Sequence, residues 1–336
     1  MEFLGSNILS IDQFDRKDID LVFKTADSLL PFASRQKITR VLQGAILSNM
    51  FFEPSTRTRI SFGSAFNMLG GEVRETTEVE ATSLAKGESL YDTSRVLSGY
   101  SDVIVMRHPE VGSVAEFADA SRVPVINGGD GDNEHPSQAL LDLFTIQKEL
   151  ESHKKDINSA RISLIGDLKF GRAVHSLCKI LMLYENVSIK LVSPEKLKLP
   201  GFLIDQLKKK SISFLETSDI KEGISDVDIL YMTRIQEERF QDSSEASKYK
   251  GLMSLNQDIY TKNCEPNTVI MHPLPRDSRA DANELDEDLN QNPNLAIYRQ
   301  TDNGLLIRMA LFSLILGVDR KINETSSTVN WFSDKS

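Results

Sequence analysis

The sequence predicts an α/β fold of two domains, each a parallel sheet flanked by helices. Three observations carry that prediction. Short β-branched runs alternate with longer stretches of helical period, the mark of βαβ units feeding a parallel sheet. The chain has 336 residues, and at roughly 150 residues per domain this length suits two domains. Its composition, 40% hydrophobic and 26% charged, is ordinary globular usage with apolar material for two cores.

In chain order, strands are predicted at 43–52 (QGAILSNMFF), 101–107 (SDVIVMR) and 123–127 (VPVIN), short apolar runs bounded by polar or turn residues. Helices are predicted at 55–69, 88–99, 112–121 and 136–150. Ser55 after Pro54 opens the first and Pro136 the last, because a missing N–H and a preset φ suit a first helical turn. The second half repeats the alternation, with strands at 160–167 (ARISLIGD), 187–193 (VSIKLVS), 211–216 (SISFLE), 227–233 (VDILYMT) and 267–272 (NTVIMH). Helices at 171–184 and 200–210 lie among them. The polar segment 147–160 (QKELESHKKDINSA) has no strand pattern, so the border is expected near it, giving a first domain 1–145 and a second 146–302. The most apolar run, NGLLIRMALFSLILG, predicts a helix 303–320 that crosses back onto the first domain.

The charge narrows the function. Against 49 Asp+Glu stand 39 Lys+Arg, a formal charge of −10, and no basic block of five residues interrupts it. Nucleic acid is therefore not an expected partner. Cys178 and Cys264 lie far apart without a ligand at metal spacing, so neither a disulfide framework nor a metal site is expected. The opening MEFLGSNILSIDQFDRKD lacks the apolar core of a signal peptide, and no run approaches 18 apolar residues. A cytoplasmic protein with no membrane partner is expected.

In a parallel α/β sheet, ligands bind beyond the carboxyl ends of strands, where loops meet helix N-termini. The first such turn reads FFEPSTRTRISF and brings Ser55, Thr56, Arg57 and Thr58 to an opening helical turn. Backbone N–H groups, hydroxyls and a guanidinium would converge there on an oxyanion, most naturally a phosphate. Read alone, Ser55 could equally be an ordinary N-cap. VIVMRHPE ends a strand at Arg107, and NGGDGDNEHPSQALLDLF leads to His135 and Gln138 on the next opening turn. Donor roles toward a carbonyl and an amide suit that pair better than a nucleophile triad or a zinc site, although a turn histidine beside an exposed glutamine fits the segment as well. GDLKFGR brings Arg172 to a helix start and YMTRIQEER brings Arg234 and Gln236 to a strand end, where arginine suits bidentate carboxylate recognition. HPLPR has two prolines that remove two donors and leave carbonyls able to accept from an NH₂ group; its Leu274–Pro275 bond is a candidate for the cis form.

Taken together, FFEPSTRTR, SLAKGES, VMRHPE, HPSQALLDLFTI, GDLKFGRAVHSL, DILYMTR-x-Q-x-ER and HPLPR resemble, in order and spacing, the catalytic chain of the aspartate carbamoyltransferases. The resemblance runs over essentially the whole chain and implies the carbamoyltransferase fold. It implies transfer of a carbamoyl group from carbamoyl phosphate to L-aspartate, an early committed step of pyrimidine synthesis, with no cofactor. Ornithine carbamoyltransferases share the S-T-R-T and H-P-x-Q elements but typically carry H-C-L-P where this chain has His272-Pro273-Leu274-Pro275. By the resemblance, Ser55, Thr56, Arg57 and Thr58 hold the phosphate, and Arg107 reaches phosphate and carbonyl oxygen. His135 and Thr58 polarise the carbonyl, His135 as a neutral donor, while Gln138 and the carbonyls of Leu274 and Pro275 take the carbamoyl NH₂. Arg172 takes the α-carboxylate of aspartate, and Arg234 and Gln236 its side-chain carboxylate, with Glu53 bracing Arg172 and Arg234. Ser83 and Lys86 match a loop that reaches a neighbouring subunit's site, Lys86 acting on aspartate and in catalysis, which implies a homotrimer with shared active sites. Regulatory chains or a dihydroorotase remain open as partners. The chain departs from the family pattern in Gly63, where an acidic residue is common, in the longer acidic stretch 277–293, and in a tail beyond Gly317.

Overall fold

The computed structural model describes residues 1–76, 87–240, 242–279 and 281–331. The chain divides into two compact units, Met1–Leu140 with Asp302–Ser336, and Leu141–Thr301. The helices in chain order are α1 (Arg16–Ser28), α2 (Leu30–Ala33), α3 (Thr56–Met68), α4 (Leu90–Leu97), α5 (Ser113–Ala120), α6 (Pro136–Ser152), α7 (Arg172–Leu181), α8 (Gly201–Lys209), α9 (Ile220–Ile224), α10 (Ser243–Ser247), α11 (Gln257–Asn263) and α12 (Ile297–Ile315). The strands are β1 (Lys37–Ile38), β2 (Ile46–Phe51), β3 (Glu72–Thr76), β4 (Val103–His108), β5 (Val125–Asp130), β6 (Arg161–Ile165), β7 (Ser188–Val192), β8 (Ser213–Thr217), β9 (Ile229–Met232), β10 (Val269–Met271) and β11 (Ser327–Thr328).

In the first unit β3, β2, β4 and β5 form a parallel sheet in that order. The central strands β2 and β4 are largely buried because both faces are covered, the usual state of a parallel sheet. Met50, Phe52, Ile104, Met106, Val114, Phe117 and Val125 make one buried cluster. Phe62 and Phe66 on α3 meet Phe312 on α12 edge to face, with ring centroids 5.9 and 5.0 Å apart, and Arg308 lies over the Phe62 ring while donating to Ser61 at 2.7 Å. Two elements outside the predicted spans are β3 and α1. β3 is an edge strand of sequence EVRET with no buried residue, and α1 is amphipathic, burying Ile19, Val22, Phe23 and Ala26, and is held at its start by reciprocal bonds between Asp15 and Asp18, a capping box.

The second unit holds a parallel sheet in the order β10-β9-β6-β7-β8, with Ile165, Val192, Leu230, Met232, Ile270 and Ile297 among its core residues. The unit border falls inside α6 and inside α12, each continuous through it. α12 begins before the apolar run expected at 303. Its polar first turns are held by side chains of the same unit: Arg299 donates to Glu149 at 2.6 and 2.9 Å, and Gln300 to Asp142 at 2.6 Å. Gly317, in the left-handed region at φ 65°, closes the helix as a C-terminal glycine does. The tail then pairs with the first unit: β11 runs antiparallel to β1, Lys37 opposite Thr328, and Thr39 donates to the Ile322 carbonyl at 2.8 Å. Among the described residues no helix is long and apolar enough to cross a membrane.

Candidate active site

Three adjacent strand ends of the first unit carry the residues expected to meet phosphate. β2 leads through Glu53 into α3. Ser55 is the N-cap of that helix in an extended conformation, φ −160° and ψ 97°, yet its side chain makes no capping bond. An N-cap hydroxyl normally accepts from the N2 or N3 N–H, so here the opening turn and the hydroxyl both stay available to a ligand. Thr56 and Arg57 are exposed and Thr58 is buried. β4 is the next strand, with Phe51 opposite Arg107. Its register with β5 shifts between Met106 and His108, the step that contains Arg107, and such irregularities re-aim a side chain. Arg107 Nε donates to Glu53 Oε2 at 2.8 Å, with the two side chains 12 and 19% exposed. Next to it, burial lowers the pKa of His108, against the opposing pull of Glu110 and Glu53.

β5 ends in the loop to His135. Asp130 organises this loop: Oδ1 accepts from Asn127 Nδ2 at 2.9 Å and Glu134 N at 3.1 Å, and Oδ2 accepts from Gly112 N and Asn133 Nδ2, both at 3.0 Å. Glu134 in turn accepts from Ser10 Oγ at 3.2 Å. His135 is 5% exposed, and its carbonyl takes the N–H of Gln138 at 2.9 Å, so the first turn of α6 sets the two residues in a constant relation. Asp130 escaped the sequence reading because it bonds backbone and asparagine amides, which a lone aspartate in a glycine-rich turn does not advertise.

In the second unit the carboxyl ends of β6 and β9 are neighbours. Gly166, at φ 118°, lets β6 turn where a Cβ would lie 2.2 Å from the Thr233 carbonyl oxygen, a close approach open only to glycine. Asp167 follows, fully buried. Its Oδ1 accepts from Lys169 N at 3.2 Å and Phe170 N at 3.0 Å, and its Oδ2 from Gln236 N at 3.0 Å. Burial raises its pKa, opposed by those N–H groups. One carboxylate thus joins the loop that delivers Arg172, first residue of α7, to the loop that carries Arg234 and Gln236. Arg234 faces Glu238, with Nη1 donating to Oε2 at 3.0 Å, so its guanidinium already holds a carboxylate in fork geometry.

The HPLPR turn is held from both sides. His272, 1% exposed, takes the Leu274 N–H on Nδ1 at 2.8 Å and bonds Glu284 Oε1 through Nε2 at 2.8 Å. Glu284 also accepts the Asp277 N–H at 3.1 and 3.2 Å. Burial lowers the His272 pKa against the opposing pull of Glu284. The His272 N–H goes to Gln300 Oε1 at 2.9 Å, and Gln300 and Tyr231 both donate to Asp142 at 2.6 Å. The Leu274–Pro275 peptide is cis, and Leu274 is left-handed at φ 57°. In the longer acidic stretch, Arg279 pairs with Asp277 and with Glu237 beside Gln236. Ser83 and Lys86 lie outside the described residues. Among the described residues no group of His, Cys, Asp or Glu could hold a metal ion.

The sequence models of the aspartate/ornithine carbamoyltransferase family match this chain twice, the carbamoyl-P binding domain over residues 6–148 and the Asp/Orn binding domain over residues 158–315. The chain belongs to the aspartate/ornithine carbamoyltransferase family. Within it, the aspartate carbamoyltransferase catalytic subunit of Saccharophagus degradans is 65% identical, covering 99% of this chain and 98% of its own length. That of Cellvibrio japonicus is 63% identical with the same coverage. A crystal structure of aspartate transcarbamoylase from Trypanosoma cruzi in complex with carbamoyl phosphate matches with a TM-score of 0.85 at 36% identity, over 94% of this chain and 97% of that one. The catalytic subunit of M. Jannaschii aspartate transcarbamoylase matches with a TM-score of 0.83 at 40% identity, over 94 and 99%. The carbamoyltransferase strand ends described above belong to the segments that these matches span.

Proposed function

We propose that this chain transfers the carbamoyl group of carbamoyl phosphate to the amine of L-aspartate, giving N-carbamoyl-L-aspartate and phosphate, the early committed step of pyrimidine synthesis. The observation that carries the acceptor assignment is the Asp167 carboxylate, which ties the loop of Arg172 to the loop of Gln236. Two cations on two tethered loops suit an acceptor with two carboxylates, and bidentate pairing gives each its orientation.

The phosphate is taken by Ser55, Thr56, Arg57 and Thr58 at the positive end of α3, with Arg107 held by Glu53 to reach phosphate and carbonyl oxygen. His135 and Thr58 donate to the carbonyl oxygen. Gln138 and the Leu274 and Pro275 carbonyls take the NH₂ group, so the carbamoyl carbon presents one face to the amine. The amine attacks that carbon, the carbonyl becomes a tetrahedral oxyanion, and collapse expels phosphate, which removes the amine proton. Donors already aimed at the oxyanion are the main electrostatic contribution, and alignment of the two substrates supplies the rest. Arg172 takes the α-carboxylate. Arg234 and Gln236 take the side-chain carboxylate, which replaces Glu238 on the guanidinium. Lys86 and Ser83 act on a neighbouring subunit's site in a homotrimer, and the protein works in the cytoplasm. Regulatory chains or a dihydroorotase are candidate additional partners.

Incubation of the purified chain with carbamoyl phosphate and a panel of amino acids tests this assignment. A carbamoylated product is expected with aspartate and not with ornithine; absence of product with aspartate rejects it.

A further inference from the structure

We propose that the buried pair His272 and Glu284 is a positioning device that sets the selectivity of the site for a carbamoyl over an acetyl group. The inference rests on the reading above in which the Leu274 and Pro275 carbonyls receive the carbamoyl NH₂. Acetyl phosphate has the same phosphate and carbonyl but a methyl in place of NH₂, so only acceptors aimed at that position tell the two apart. A site whose buried polar groups lose their partner rejects the analogue.

The aim of those acceptors is a problem that the local sequence creates. Proline has no N–H, so the Leu274–Pro275 peptide cannot be anchored through a donor of its own. Its orientation must come from the peptides around it. The N–H on one side, of Leu274, is held by His272 Nδ1 at 2.8 Å, and the N–H on the other, of Asp277, by both oxygens of Glu284. The two side chains are joined by the 2.8 Å bond from His272 Nε2 to Glu284 Oε1, with side-chain exposures of 1 and 7%. Accepting on Nδ1 and donating from Nε2 describes a single neutral tautomer, and the carboxylate is what selects it. Leu274 also sits at φ 57°, a conformation a branched residue keeps only when its surroundings over-determine it. Neither His272 nor Glu284 need touch a substrate for this. They act through the backbone they hold.

The test compares inhibition by acetyl phosphate, inhibition by inorganic phosphate and the KM for carbamoyl phosphate, all at saturating aspartate, in the full-length protein and in Glu284→Ala, His272→Leu and Glu284→Gln. The unsubstituted protein is expected to prefer carbamoyl phosphate over acetyl phosphate at least tenfold. In Glu284→Ala and His272→Leu that preference narrows about tenfold, with the phosphate inhibition constant unchanged within twofold. Glu284→Gln keeps acceptors for both N–H groups and retains the preference within about threefold. A loss of folding or of general order would shift all three constants together, so a phosphate constant that rises in step with the others overturns the proposal. So does an unchanged preference in a folded Glu284→Ala protein, which would leave the Leu274 and Pro275 assignment standing. If the unsubstituted protein shows no preference at all, that assignment falls, and this inference with it.

Discussion

Oδ2 of Asp167 accepts the backbone N–H of Gln236 at 3.0 Å, while Oδ1 of the same buried carboxylate takes two N–H groups of its own loop. In Asp167→Asn one oxygen becomes an NH₂ that faces a donor. An unsatisfied buried donor costs about 1–3 kcal/mol, and about 1.4 kcal/mol is tenfold in affinity. The KM for aspartate is therefore expected to rise roughly tenfold, while inhibition by inorganic phosphate, which the proposed function assigns to the first unit, stays constant. Steady-state kinetics in both substrates check it.

Ser55 stands at an N-cap without capping, which separates its two potential roles. A capping serine replaced by alanine costs about 0.5–2 kcal/mol. Ser55→Ala is expected to change stability by less than about 0.5 kcal/mol, as a substitution away from such features does. Carbamoyl phosphate and inorganic phosphate should both bind about tenfold more weakly, taking the loss of one hydrogen bond to a charged group as about 1.5 kcal/mol. Chemical denaturation beside phosphate inhibition distinguishes the outcomes.

His135 is nearly buried at the start of α6. On the proposed mechanism its replacement by alanine removes a donor aimed at the developing oxyanion, and turnover should fall roughly a hundredfold or more. Stability should fall by only the ~1 kcal/mol common to point substitutions, because Asp130 holds the loop through backbone and asparagine groups. A kcat unchanged in His135→Ala would remove the residue from the mechanism.

Acid should loosen the second unit through Asp228. Burial would raise the pKa of this carboxyl, but hydrogen bonds from Arg161 and Lys155 outweigh it and hold the value at about 2. A folded pKa below the unfolded one gives stability that is present above about 4, the ordinary carboxyl value, and lost as pH falls from there toward about 2. Solvent screens the partly exposed Lys155 and Arg161, so the contribution is on the order of 1 kcal/mol. Melting of Asp228→Asn between pH 6 and 2.5 is expected to start lower and to lose less on acidification.

Most of this molecule is legible in its sequence because its candidate site residues sit where apolar runs end. Arg107 lies at the end of β4, and Arg172 and Arg234 come after β6 and β9, strands whose hydrophobic residues name them; all three strands lie within or beside the predicted spans. β3 was not legible, since EVRET at a sheet edge buries nothing and so carries no apolar period. Asp130, Asp167 and Glu284 were invisible for another reason: their partners, backbone N–H groups among them, are brought near by folding, and a carboxylate that bonds backbone has no spacing rule. The uncapping Ser55 shows the limit from the other side. Its position was readable, but that its hydroxyl makes no capping bond shows only in the folded chain.

The contact of Phe312 with Phe62 and Phe66 sets an order of events during synthesis. Residues 141–301 form the second unit, so the ribosome must make that entire stretch after the first sheet has emerged and before the helix that completes the first core exists. At about 5–20 residues per second, the nascent first unit waits on the order of 10–30 s with Phe62 and Phe66 lacking their aromatic partner. The second unit, contiguous in sequence, has no such delay, so the part of the chain made first is the part finished last.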